Sequence, residues 1–137
     1  MKQYQWLLFD ADGTLFDYDR AESAALEQVF QSIGVKFDPA WLTAYQRVNQ
    51  ALWQAVEKGE LTPDVVKVRR FELLLPAIGL SYSPAAVSAR YLEFLADCSE
   101  LIEGAAEVVQ ALHGKYRVAI LTNGLQAVQR RRLTRSG

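Results

Sequence analysis

The sequence predicts an α/β protein that carries a block of helices inserted between two strand-bearing pieces. Three observations predict it. The apolar run Trp6-Leu7-Leu8-Phe9 ends in Asp10-Ala11-Asp12-Gly13-Thr14. A helical stretch with repeated start and stop signals fills Asp17 to Cys98. A second apolar run, Arg117-Val118-Ala119-Ile120-Leu121, ends in Thr122-Asn123-Gly124.

The first run is short, aromatic and bounded by a turn signal, so it reads as a buried strand. Residues i and i+2 of a strand point the same way. Asp10 and Asp12 therefore look into one crevice at the strand's C-terminal end, where open α/β sheets bind ligands. Two readings of the acids stand side by side. They cap local backbone in a solvated turn, or they form a carboxylate pair with split roles. In the second reading one is a nucleophile and metal ligand, and the other is an acid and then a base. Hard oxygen donors at this spacing suit Mg²⁺.

After Leu15 the pattern becomes helical. Leu26, Val29, Phe30 and Ile33 share a face, and Gly34 stops that helix. Asp38-Pro39 starts the next, with Leu42, Tyr45, Asn49, Leu52, Trp53 and Val56 on one face and Gly59 at its end. Thr62-Pro63 opens a third, carrying Val66, Arg70, Phe71 and Leu74, which Pro76 kinks or stops before Gly79. Ser83-Pro84 opens a fourth, with Val87, Tyr91, Phe94, Leu95 and Cys98. Four helices with short connections read as a bundle.

From Glu103-Gly104 the pattern changes back. Ala105 to Leu112 is a short helix closed near Gly114, and Arg117 to Leu121 is the second buried strand, rich in branched residues. A helix follows, with Leu125, Val128 and Leu133 apolar. Parallel strands joined through helices place their C-terminal ends on one edge. Thr122 then faces Asp10 and Asp12. Its hydroxyl, with backbone N–H groups at a helix start, suits a phosphate; taken alone, the same tripeptide is an ordinary turn.

The totals narrow the class. The chain has 137 residues, half of them hydrophobic, and a net charge of -1. That charge gives no electrostatic case for a nucleic acid polymer or a membrane surface. A single cysteine, Cys98, excludes an internal disulfide and fits a cytoplasmic setting. No signal peptide or membrane span is evident.

These residues resemble the haloacid dehalogenase superfamily. Asp10-Ala11-Asp12-Gly13-Thr14-Leu15 resembles its first motif, and Leu121-Thr122-Asn123-Gly124 its second. The helices between resemble its inserted cap. The resemblance implies a Rossmann-like core, here its N-terminal part only, formed by residues 1–16 and 99–137, with the cap at 17–98. Tyr45-Gln46-Arg47-Val48-Asn49 with Leu52-Trp53, Arg70-Phe71-Glu72, and the stretch from Thr122 to Arg132-Leu133 are similar to the pyrimidine 5′-nucleotidase branch.

The resemblance implies that Asp10 attacks phosphorus and Asp12 serves as acid and then base. Thr122, Asn123 and Gly124 hold the phosphoryl oxygens. Mg²⁺ sits on Asp10 and the Asp12 carbonyl. Asn49 and Arg70 contact substrate from the cap. A small phosphorylated metabolite is then the partner, with nucleoside 5′-monophosphates as the first choice. A sugar-phosphate phosphatase, a phosphomutase and a non-catalytic truncated protein are the alternatives. The family's later lysine and further Mg²⁺ carboxylates have no match before Gly137, so a C-terminally truncated chain of little activity is expected. An exposed apolar sheet edge should accompany it.

Other residues have plainer readings. Asn49 is equally read as a satisfied polar group, and Arg70 as an ion-paired one. Tyr45 and Trp53 read as core, and Cys98 as a small hydrophobe. His113 serves a helix end. Arg130-Arg131-Arg132 reads as a solvated helix face.

Overall fold

The computed structural model describes residues 4–122 and 125–136. The elements run β1 (Trp6–Asp10), α1 (Tyr18–Ser32), α2 (Pro39–Glu57), α3 (Pro63–Ala77), α4 (Pro84–Asp97), α5 (Ala105–His113), β2 (Arg117–Leu121) and α6 (Gln126–Ser136). Each helix start read from the sequence is present. The Asp38 side chain accepts from Ala40 N–H at 2.9 Å, and Ser83 accepts from Ala86 N–H at 3.3 Å. Both caps precede a proline at the first helical turn. Pro76 lies in the last turn of α3, which ends one residue later.

β1 and β2 pair in parallel, with Trp6 opposite Arg117 and Asp10 opposite Leu121. Thr122 therefore follows β2 at the edge where Asp10 ends β1. Gly13, at φ +76°, turns the chain away just past the acids. The segments leaving for the helices and returning from them then run side by side. Asp17 N–H donates to the Glu100 carbonyl at 3.0 Å, and Ile102 N–H to the Leu15 carbonyl at 2.8 Å.

The main core lies among the helices. Leu26, Val29 and Phe30 of α1, Tyr45 of α2, Phe71 and Leu74 of α3, and Tyr91 of α4 are fully buried together. Val128 of α6 joins them, so the last helix packs on α4. Tyr45, Phe71 and Tyr91 form a ring cluster with centroids 5.4–5.9 Å apart.

The strands correct one expectation. Neither is buried: Leu8 is 65% and Leu121 69% exposed, and Trp6 and Ile120 are exposed as well. The physical reason is the small size of the described sheet. Two strands leave most of their surface without a covering layer, although the residue types are those of a buried sheet. The apolar edge expected from the sequence is present.

Candidate active site

Asp10, Asp12 and Thr122 line one cleft of about 240 Å³ between the sheet edge and the helical block. Asp10 closes β1, Asp12 follows it before the Gly13 turn, and Thr122 follows β2. The sheet register brings these positions together, as the parallel pairing predicts. Asn123 and Gly124, the remaining expected phosphate-binding residues, lie outside the described residues.

Two residues of α6 complete this side of the cleft. Gln129 Nε2 donates to Asp12 Oδ2 at 2.8 Å and to Thr122 Oγ1 at 2.9 Å. Arg132 is ion-paired with Asp12 Oδ1 through Nη1. That nitrogen also donates to Gln129 Oε1 at 3.1 Å, and Nε donates to the Cys98 carbonyl at 3.0 Å. The guanidinium lies 4.3 Å from the Phe16 ring centroid. Arg132 is 1% exposed, which corrects its reading as part of a solvated basic face. Arg130 and Arg131 are exposed, and Arg131 and Arg135 both pair with Asp97.

Spacing carried a signal that charge obscured. Leu125, Val128, Gln129 and Arg132 recur at three- and four-residue steps, which places them on one helix face. That face packs inward, so the third arginine of the run goes in while the first two stay out.

The opposite wall comes from the helical block and includes Tyr18, Asn49, Trp53 and Arg70. Asn49 is buried and bridges two charges. Its Nδ2 donates to Glu22 Oε2 at 3.3 Å and to Tyr18 Oη at 3.4 Å, while its Oδ1 accepts from Arg70 Nη1 at 3.3 Å. Arg70 is 3% exposed and forms no ion pair among the described residues. Its guanidinium sits against the rings of Tyr91, Phe71 and Tyr45, at 4.6, 5.6 and 5.9 Å from their centroids. The ion-pair reading of Arg70 is thereby replaced by an aromatic box with one amide partner. Trp53 is half-buried and lies at the cleft rather than in the core.

Burial sets the protonation of this wall. It pushes the Tyr45 phenol up to about 12 and raises Tyr18 and Tyr91 well above the usual range. Desolvation also raises the Glu22 carboxyl. Neutral phenols thus surround one buried cation.

Among the described residues no three His, Cys, Asp or Glu side chains gather as a metal-binding set. The cleft offers the exposed Asp10 carboxylate, with Asp12 in the same lining. Magnesium commonly takes one or two protein carboxylates and fills its shell with water and substrate phosphate. The donors present fit such a partial site. No described helix is long and apolar enough to cross a membrane.

A model of the haloacid dehalogenase-like hydrolase family matches residues 4–137. The chain is 36% identical over 137 residues to the HAD-hydrolase YfnB of Bacillus subtilis. It is 33% identical over 135 residues to the pyrimidine 5′-nucleotidase PynA of Streptococcus pneumoniae, and 31% identical over 135 residues to the pyrimidine 5′-nucleotidase YjjG of Escherichia coli. These alignments take in 98–100% of this chain but only 57–58% of each relative. A crystal structure of YfnB bound to magnesium superposes with a TM-score of 0.91 at 35% identity, over 99% of this chain and 60% of that one. The L-2-haloacid dehalogenase Rha0230 superposes at 0.80 with 15% identity, covering 99% of this chain and 58% of that one, a likeness of fold.

Proposed function

Because the chain belongs to the haloacid dehalogenase-like hydrolase family, we propose that it carries the nucleophile, acid–base and phosphate-binding parts of a Mg²⁺-dependent phosphomonoester hydrolase. Nucleoside 5′-monophosphates are the proposed substrates. One observation carries the reading: Asp10, Asp12 and Thr122 line a single cleft, with Gln129 joining the last two.

The chemistry follows from the groups. Asp10 is exposed at the strand tip and attacks phosphorus, giving an aspartyl-phosphate. Asp12 gives a proton to the departing nucleoside oxygen, then takes one from the water that cleaves the acyl phosphate. Thr122, with Asn123 and Gly124 after it, holds the phosphoryl oxygens. The Asp10 carboxylate and the Asp12 carbonyl would hold Mg²⁺, which when bound neutralises charge between nucleophile and phosphate. Arg70 and Asn49 face the leaving group from the opposite wall.

Asp12 is the ground for preferring phosphoryl transfer to dehalogenation. A leaving alkoxide needs a proton, whereas a halide does not. The two nucleotidase relatives support the choice of substrate. Magnesium in the YfnB crystal supports the choice of cation.

The test joins this chain to the portion of YfnB that it does not cover. Phosphate release is then measured on nucleoside monophosphates and sugar phosphates, with and without Mg²⁺. Chloride release from 2-chloropropionate is measured beside it. Mg²⁺-dependent phosphate release, lost in Asp10→Asn, is expected; the 137-residue chain alone should show little. A folded chimera that releases chloride, or no phosphate from any substrate, would end the proposal.

A further inference from the structure

We propose that Arg132 and Gln129 are positioning residues that hold the Asp12 carboxylate off the cation site and aim it across the cleft for proton transfer. The proposal rests on the hydrolase reading above. Its observations concern the bonds of Asp12 itself.

Both oxygens of Asp12 accept a hydrogen bond, and each keeps a second lone pair for a proton. Oδ1 faces the Arg132 guanidinium and Oδ2 accepts from Gln129 at 2.8 Å. Gln129 has no spare donor. Gln129 spends both amide protons, one on Asp12 and one on Thr122, and its oxygen accepts from Arg132. The Arg132 guanidinium can only donate, so Gln129 Oε1 faces it and the amide orientation is fixed by chemistry. Arg132 is in turn pinned by the Cys98 carbonyl and the Phe16 ring. Such a supporting set fixes a reacting group's orientation before the reaction begins.

Fixing matters because Asp10 and Asp12 are two residues apart. Unrestrained, both carboxylates would suit one divalent cation. A metal-bound Asp12 carboxylate would be a poor proton carrier. The α6 residues divide the labour, leaving Asp10 to the cation and Asp12 to the proton. Gln129 also ties the acid–base group to Thr122, so one amide sets the spacing between the proton carrier and a proposed phosphate contact.

Mg²⁺ titration calorimetry on the 137-residue chain tests this through a double-mutant cycle. Asp10→Asn should weaken Mg²⁺ binding more than about ten-fold, whereas Asp12→Asn should change it by less than about two-fold. Arg132→Met should tighten binding about five-fold, and adding Asp12→Asn should reverse the gain, which marks the released carboxylate as a new ligand. Arg132→Lys should fall between the two. A gain that survives Asp12→Asn would be a remote charge effect and would overturn the proposal.

Scalar couplings at Asp12 Cβ supply a reading without metal. One side-chain rotamer is expected in the parent, and averaging in Arg132→Met and in Gln129→Leu. Gln129→Leu keeps the ion pair, and serves if the Arg132 variant does not fold. An unchanged single rotamer in the folded variants would refute the positioning role. Should the parent bind no Mg²⁺, the couplings alone decide this proposal, and the chimera above decides the hydrolase reading.

Discussion

Arg132 and Asp12, 120 residues apart in sequence, form an ion pair whose cationic partner is almost completely enclosed. The contact joins the loop after β1 to α6, on one side of the cleft. Its worth lies less in Coulomb attraction than in what removal leaves behind. A buried cation is costly to desolvate, and its partners are costly to orphan.

Arg132→Ala should therefore destabilise the chain by about 2–4 kcal/mol. It leaves the Cys98 carbonyl and Gln129 Oε1 without their donor and opens a space beside Phe16. Arg130→Ala, two residues earlier and exposed, should stay within about 0.5 kcal/mol of the parent. Urea unfolding of the two variants checks the contrast. Equal midpoints would return Arg132 to the solvated face.

Asn49→Ala should cost about 2 kcal/mol in the same measurement. Both amide protons and one lone pair of Asn49 are spent on Tyr18, Glu22 and Arg70. Among the described residues, truncation leaves the Arg70 guanidinium with no hydrogen-bond partner in its aromatic box. A variant as stable as the parent would show that the bridge is dispensable, and would favour a role for Asn49 in substrate contact alone.

Much of this architecture was legible from local signals. Asp38-Pro39 and Ser83-Pro84 announce helices because the cap and the proline act within one turn. The parallel pairing was legible because two apolar runs with polar tips sit on either side of helices. The α6 contacts were not, since the partner of Arg132 is set by the packing of a distant loop. A run of three arginines looks solvated until the helix face is counted, and then Val128 and Arg132 fall on the same side. The buried-strand reading failed for a different reason. Residue type records the surroundings a strand is suited to, and the described sheet supplies only one neighbour for each strand.

Glu22→Gln should flatten the pH dependence of stability. Burial raises the Glu22 carboxyl in the folded chain, so the folded state holds its proton to higher pH than the unfolded state. Stability from this group is present below the ordinary carboxylate range. It is lost as pH rises through that range to the raised folded value, because the unfolded state gives up its proton first. Glutamine keeps an acceptor for Asn49 and cannot ionise. Thermal melts from pH 4 to pH 8 should show the parent losing stability relative to the variant as pH rises, with the variant at least as stable at neutral pH. A constant difference across the range would show that Glu22 does not ionise differently in the two states.

Leu8→Lys should lower self-association without a change in stability. Leu8 lies on β1 with most of its side chain in solvent, beside exposed Trp6, and β1 has β2 as its one described strand neighbour. An apolar strand with an unpaired edge is a template for another strand. The leucine contributes little to the core, so replacing it should shift unfolding by no more than about 0.5 kcal/mol. A lysine repels its own copy when two β1 edges approach, and a charge on an edge strand is a common safeguard against such pairing. Light scattering across a concentration series should show the parent growing in mass while the variant holds at one chain. Growth of the variant equal to the parent's would place the sticky surface elsewhere, with exposed Ile120 and Leu121 of β2 the next residues to change.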